Sequence, residues 1–99
     1  MEDPGFTRYV ILLEKVPGRE LTRATIDAHI AHLARLDDEK KLVLSGPFAD
    51  HPSGMVVVQA ESKDEAVAIA EADPFVREGV RTYEVRTWLL ACRENGYLG

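Results

Sequence analysis

Cysteine is almost missing from this chain: Cys92 stands alone among 99 residues. An internal disulfide is therefore impossible, and a reducing, cytoplasmic compartment is the expectation. Basic clusters are missing too. The 12 basic residues are scattered among 17 acidic ones, for a net charge of −5 and a pI near 5.1. A nucleic-acid surface needs a basic stripe, and an anionic membrane needs a polybasic segment, so neither partner is expected. No run approaches the roughly 18 apolar residues of a membrane span. The opening Met1-Glu2-Asp3-Pro4-Gly5 has neither the positive start nor the apolar run of a secretory signal. A Walker motif, a dinucleotide fingerprint, an H-E-x-x-H pair and a G-x-S-x-G elbow are likewise absent. No cofactor, no metal and no covalent serine chemistry are expected. The partners left are a small molecule and a second copy of the chain.

What is present is an ordinary globular composition, 45% hydrophobic and 29% charged. The length suits a single domain over 1–99, with a core over 8–91 and a polar tail over 92–99. A chain of this size buries only about two-thirds of its unfolded surface, so covering a further face in an oligomer would help it. Residues 8–16 (RYVILLEKV) read as a strand stopped by Pro17-Gly18. Residues 22–40 read as a helix capped by Thr22, with Asp37, Asp38 and Glu39 opposing its dipole and predicting a frayed last turn. A strand at 42–45 ends at Gly46-Pro47. A turn-rich stretch at 50–54 precedes a strand at 55–60 (MVVVQA). Ser62 and Glu65 have capping-box spacing for a helix reaching about residue 72. Asp73-Pro74 breaks that helix and is placed to cap a further short turn with Pro at its first position, and 80–91 alternates as a last strand. The order strand-helix-strand-strand-helix-strand predicts an α+β, ferredoxin-like βαββαβ fold: a four-stranded antiparallel sheet with both helices on one face. The other face would expose Val, Tyr and Leu side chains. Two such faces packed together would make a dimeric α/β barrel, so a homodimer is expected.

Two ionisable residues sit where structure alone does not ask for them. His29 lies within about 40° of the centre of the stripe formed by Ile26, Ile30 and Leu33, whereas His32 lies about 100° away. Asp73 follows Ala66, Ile69 and Ala70 at helical spacing. Such stripes face a core, and an imidazole and a carboxylate there need each other or something to act on. His29 could instead be a core imidazole bonded to a backbone carbonyl, and Asp73 a helix cap. His29 and His32 could also chelate a metal on one helix side, but supporting ligands are missing. Gly46 either stops a strand or lets a ligand approach the main chain. His51, in a predicted turn, reads as solvated, and Trp88 and Tyr83 as packing residues.

Taken in order, these features resemble the YciI-like, YCII-related family, from about Tyr9 to Trp88. The marks are the strand Tyr9-Val10-Ile11-Leu12-Leu13, the helix segment from His29 to Leu36, the strand Leu42-Val43-Leu44-Ser45-Gly46-Pro47, the run Ala72-Asp73-Pro74-Phe75, and the ending Tyr83 to Trp88. The family's spacing from histidine to the Gly-Pro glycine selects His29 rather than His32. The resemblance implies a ferredoxin-like dimer whose pocket holds a His29-Asp73 acid/base pair, with Ser45, Gly46, Pro47 and Phe75 as substrate contacts. It also implies lyase or isomerase steps on small cyclic or aromatic compounds, in a fold related to that of muconolactone isomerases. Family members often carry an arginine three residues before the histidine; Ile26 stands there in this chain. Two other readings stay open: a ligand-binding or regulatory module without catalysis, and a buried His-Asp pair that serves folding specificity.

Overall fold

Alternation of apolar and polar residues makes Thr7–Lys15 a strand, β1, whose residues Thr7, Tyr9, Ile11 and Leu13 are buried. The structure is a computed structural model that describes residues 3–99. After β1 come α1 (Arg23–Asp38), β2 (Leu42–Pro47), β3 (Ser53–Val58), α2 (Lys63–Ala72), the short α3 (Pro74–Arg77) and β4 (Arg81–Leu89). The sheet order is β2-β3-β1-β4, every pairing antiparallel. This is the expected ferredoxin-like arrangement, and the expected short turn after Asp73-Pro74 is α3.

Register fixes which side chains meet the helices. Ile11 pairs with Val56 on one side and Val85 on the other. These three join Tyr9, Leu13 and Val58 against Leu36 of α1 and Ala66, Ile69 and Ala70 of α2. The residues between them, Val10 and Leu12, lie on the opposite face and are half-buried. That face also presents Leu44 and Trp88, 65% and 46% exposed. Both sheet tyrosines belong to the helix side instead: Tyr9 is in the core, and the Tyr83 hydroxyl bonds the Glu71 carboxylate of α2 at 2.9 Å. Leucine and valine thus stand on the uncovered face as expected, and tyrosine does not.

Local chemistry explains the helix ends. The Thr25 N–H donates to Thr22 Oγ1 at 3.1 Å, and the Glu65 N–H donates to Ser62 Oγ at 3.1 Å. The end of α1 is closed rather than frayed. Lys40 takes a left-handed conformation (φ 61°), its N–H reaches the Asp37 carbonyl, and the Lys41 N–H reaches that of Leu36. Those two bonds satisfy carbonyls that the acidic last turn would have left to water. Strand β2 runs on through Gly46-Pro47, because an edge strand tolerates a residue with no N–H. Gly46 has an ordinary backbone conformation. The sterically demanded glycine is its neighbour Gly54, where a Cβ would stand 3.1 Å from the Gly46 carbonyl oxygen.

Candidate active site

Two chain segments bring the site together. Thr25, near the start of α1, donates its hydroxyl proton to the Glu78 carboxylate at 2.8 Å, and Arg19 donates to the Glu78 carbonyl at 2.9 Å. Residue 78 follows α3 directly, so these bonds hold α1 beside α3. One turn along α1, His29 meets Asp73, which lies between α2 and α3. The His29 Nδ1 to Asp73 Oδ1 distance is 2.8 Å.

Asp73 does both things the sequence suggested for it. Its Oδ1 accepts the Phe75 N–H at 2.9 Å, capping α3, and also faces the imidazole. The residue is only 3% exposed, so the carboxylate depends on these donors. A carboxylate accepts only, so the shared proton sits on Nδ1 of His29. In the neutral imidazole the other ring nitrogen, Nε2, carries the lone pair, and it makes no hydrogen bond to the described residues. Phe75 stacks on the imidazole, with centroids 3.8 Å apart and planes 8° from parallel. A contact of this kind contributes about 0.5–1.5 kcal/mol and fixes the ring plane.

His29 forms part of the wall of a cavity of about 560 Å³. Ile26, Ile30 and Leu33 line it as well, so the stripe of α1 faces this cavity; Leu33 also packs against the core as expected, while Ile30 is 56% exposed. From the far side come Ser45, Gly46 and Pro47 of β2, and Phe75 completes the set of expected contacts. All four therefore lie on the cavity that His29 faces. The wall is mostly apolar, with few polar groups, which is the usual character of a small-molecule site.

His32 departs from expectation. It is 5% exposed, more deeply buried than His29, because the true inner face of α1 runs through Thr25, His32 and Leu36. Burial holds its pKa below the ordinary histidine value of 6.5, with His29 and Arg35 adding to the effect and Asp73 and the Ile69 carbonyl opposing it. The unfolded chain then binds a proton that folded His32 resists. Stability is expected to be level above pH 6.5 and to fall as the pH drops below it. Urea midpoints measured across that range should show this fall, and the His32→Leu variant should flatten it.

Two further ionisable residues line the cavity. His51 is exposed, as expected, yet also stands at the cavity's edge, its Nδ1 2.6 Å from Ser53 Oγ. Nothing in its turn-rich surroundings signals this. Arg81 lines the cavity from the start of β4, its Cζ 5.7 Å from the Phe75 ring centroid. It did have a signal: Arg81 shares its strand parity with Tyr83 and Val85, whose side chains point inward. Among the described residues no cluster of three or more metal-binding side chains exists. No helix among them is long and apolar enough to cross a membrane.

Comparison with known proteins agrees with this architecture. Residues 7–89 match the model of the YCII-related domain. The uncharacterized protein YjpA of Bacillus subtilis is 33% identical over 82 residues, covering 83% of this chain and 96% of that protein. Protein YciI of Escherichia coli is 34% identical over 83 residues, covering 73% and 85%. Among solved structures, 5-chloro-2-hydroxyhydroquinone dehydrochlorinase from Burkholderia phenoliruptrix, in complex with 2,5-dihydroxybenzoquinone, superposes with a TM-score of 0.63. It is 28% identical, with 84% of this chain and 94% of that one covered. With the domain match spanning all four strands and both members of the His29-Asp73 pair, this chain belongs to the YCII-related family.

Proposed function

We propose that this protein is a cofactor-independent enzyme that moves a proton on a small, planar, cyclic or aromatic compound. The observation that carries the reading is the His29-Asp73 contact at 2.8 Å on the wall of an apolar cavity. With Nδ1–H held by the carboxylate, Nε2 is the general base. It takes a proton from a ring carbon or hydroxyl. The electron pair left behind forms a new double bond, either expelling a leaving group such as chloride or shifting an existing double bond. The imidazolium then returns its proton to another carbon, completing an isomerisation, or to water, completing an elimination. Asp73 orients the ring and stabilises the imidazolium while it lasts. The dehydrochlorinase with the similar fold acts on a compound of this size and shape. The test is chloride release from 5-chloro-2-hydroxyhydroquinone, and double-bond migration in unsaturated lactones, by wild type and by His29 variants. Tight binding of such compounds with no turnover would favour the alternative, a ligand-binding module.

The same reading includes a homodimer. Leu44 and Trp88 stand exposed on a sheet face that no helix covers, beside half-buried Val10 and Leu12. An apolar surface of that kind is typical of an interface. Sedimentation at micromolar concentration should give twice the chain mass; a monomer there would refute the dimer.

A further inference from the structure

The cavity holds one fixed positive charge that the proton-transfer chemistry above does not use. Among the described residues Arg81 is the only lysine or arginine on its wall, and no aspartate or glutamate of theirs lines it. A guanidinium stays charged at any working pH and carries five N–H donors. Arg81 uses Nη1 to reach its neighbour's carbonyl, Val80 O, at 2.9 Å. That is its one hydrogen bond among the described residues, and no carboxylate among them lies within ion-pair distance of it. Elsewhere among the described residues three cations pair with acids, Arg23 with Asp27, Arg86 with Glu84 and Lys41 with Glu39. Other arginines, such as Arg8 and Arg19, also bond only backbone carbonyls; what sets Arg81 apart is that its unpaired charge faces the cavity.

Its position relates it to the base. Phe75 stacks on His29 at 3.8 Å, and the Arg81 guanidinium lies 5.7 Å from the centroid of that same ring. Imidazole and guanidinium are thus arranged around one phenyl group. The cation–π contact holds the guanidinium in place, but a ring quadrupole does not neutralise a charge. A neutral ligand filling this apolar cavity would strip water from Arg81 and give nothing back. An anionic ligand would replace that water with charge-assisted hydrogen bonds in a forked geometry.

We infer that Arg81 is an anion subsite of this cavity, and that the compounds bound there are planar cyclic acids carrying a carboxylate or an ionised enolic or phenolic oxygen. The inference rests on the cavity being the substrate site proposed above. The anionic oxygen pairs with Arg81 while a ring position is presented to Nε2 of His29. The same cation then stabilises the negative charge that grows on the ring oxygen as His29 removes a proton.

Isothermal titration tests this without turnover. Three probes suffice: benzoate for the carboxylate, 2,5-dihydroxybenzoquinone for ionised enolic oxygens, and hydroquinone as a neutral ring of similar size. Wild type is expected to bind at least one of the two anions roughly tenfold more tightly than hydroquinone. Which anion is preferred identifies the acid group. Arg81→Gln should lose the preference and keep its hydroquinone affinity, while Arg81→Lys should retain part of the preference. If the glutamine variant does not fold, the salt dependence of wild type decides. Affinity for the anion should fall with added salt, and that for hydroquinone should not. Equal wild-type affinity for all three probes, no binding of any, or an undiminished preference in Arg81→Gln would overturn the subsite. His29→Ala should keep the anion preference, so an inactive dyad and a mistaken subsite give different results.

Discussion

Replacing His29 with alanine is expected to reduce turnover by about 10²–10⁴-fold, the usual contribution of a positioned general base. Two features make His29 irreplaceable here. It is the imidazole whose Nδ1 faces a buried carboxylate, which fixes the tautomer and leaves Nε2 as the basic atom. The other cavity histidine, His51, meets only the Ser53 hydroxyl, which brings no charge to balance an imidazolium. The fold should survive the change, because His29 stands at a cavity wall. Its removal leaves Asp73 one donor short, at a cost of about 1–3 kcal/mol, lessened by water entering from the cavity. His29→Gln keeps an N–H for Asp73 and serves as the milder partner. Both variants should melt cooperatively and both should be inactive. Wild-type rates in either would remove His29 from the chemistry.

Asp73→Asn is expected to lower kcat about a hundredfold or more, with only a small change in melting temperature. The asparagine oxygen can still cap α3 by accepting the Phe75 N–H, and loss of such a cap altogether would cost only about 0.5–2 kcal/mol. What disappears is the charge opposite Nδ1. In the other amide orientation the NH₂ faces the imidazole, which moves the ring proton to Nε2 and removes the lone pair from the cavity, and the cap is lost because one Oδ1 position serves both contacts. Asp73→Ala loses cap and charge together, so it should be inactive and also less stable. Comparing the two variants separates the roles: a shared loss of rate belongs to the charge, and a melting difference belongs to the cap. Equal rates in wild type and Asp73→Asn would mean that Asp73 serves only as a cap.

Much of this site could be read in the sequence because short-range rules carry it. Thr22 and Ser62 cap the helices where their spacing says they should, and Asp73 stands at the break between α2 and α3. Strand order follows from alternation and from turn residues. Where sequence reading went astray, a partner distant in the chain decides. A helical wheel locates the apolar side of α1 but not what lies opposite it. Ile26 and Ile30 therefore read as core residues and form a cavity wall, Leu33 joins both wall and core, and His32 turns inward behind them. The limits of β2 and β3 moved because their pairing, Gly46 with Met55 and Pro47 with Gly54, extends the ladder through a Gly-Pro. His51 and Arg81 reach the cavity from segments with no local mark of function, save the inward parity of Arg81.

The proposed chemistry requires that His29 present a bare Nε2 to the cavity while Asp73 holds its Nδ1 proton. Nitrogen-15 NMR of histidine-labelled protein at neutral pH reads this directly, with His29→Gln assigning the signal. The Nδ1–H tautomer is predicted for wild type, with the Nε2 resonance shifting when 2,5-dihydroxybenzoquinone is added. An Nε2–H tautomer, or a resonance that ignores a bound ligand, would contradict the proposed acid/base role.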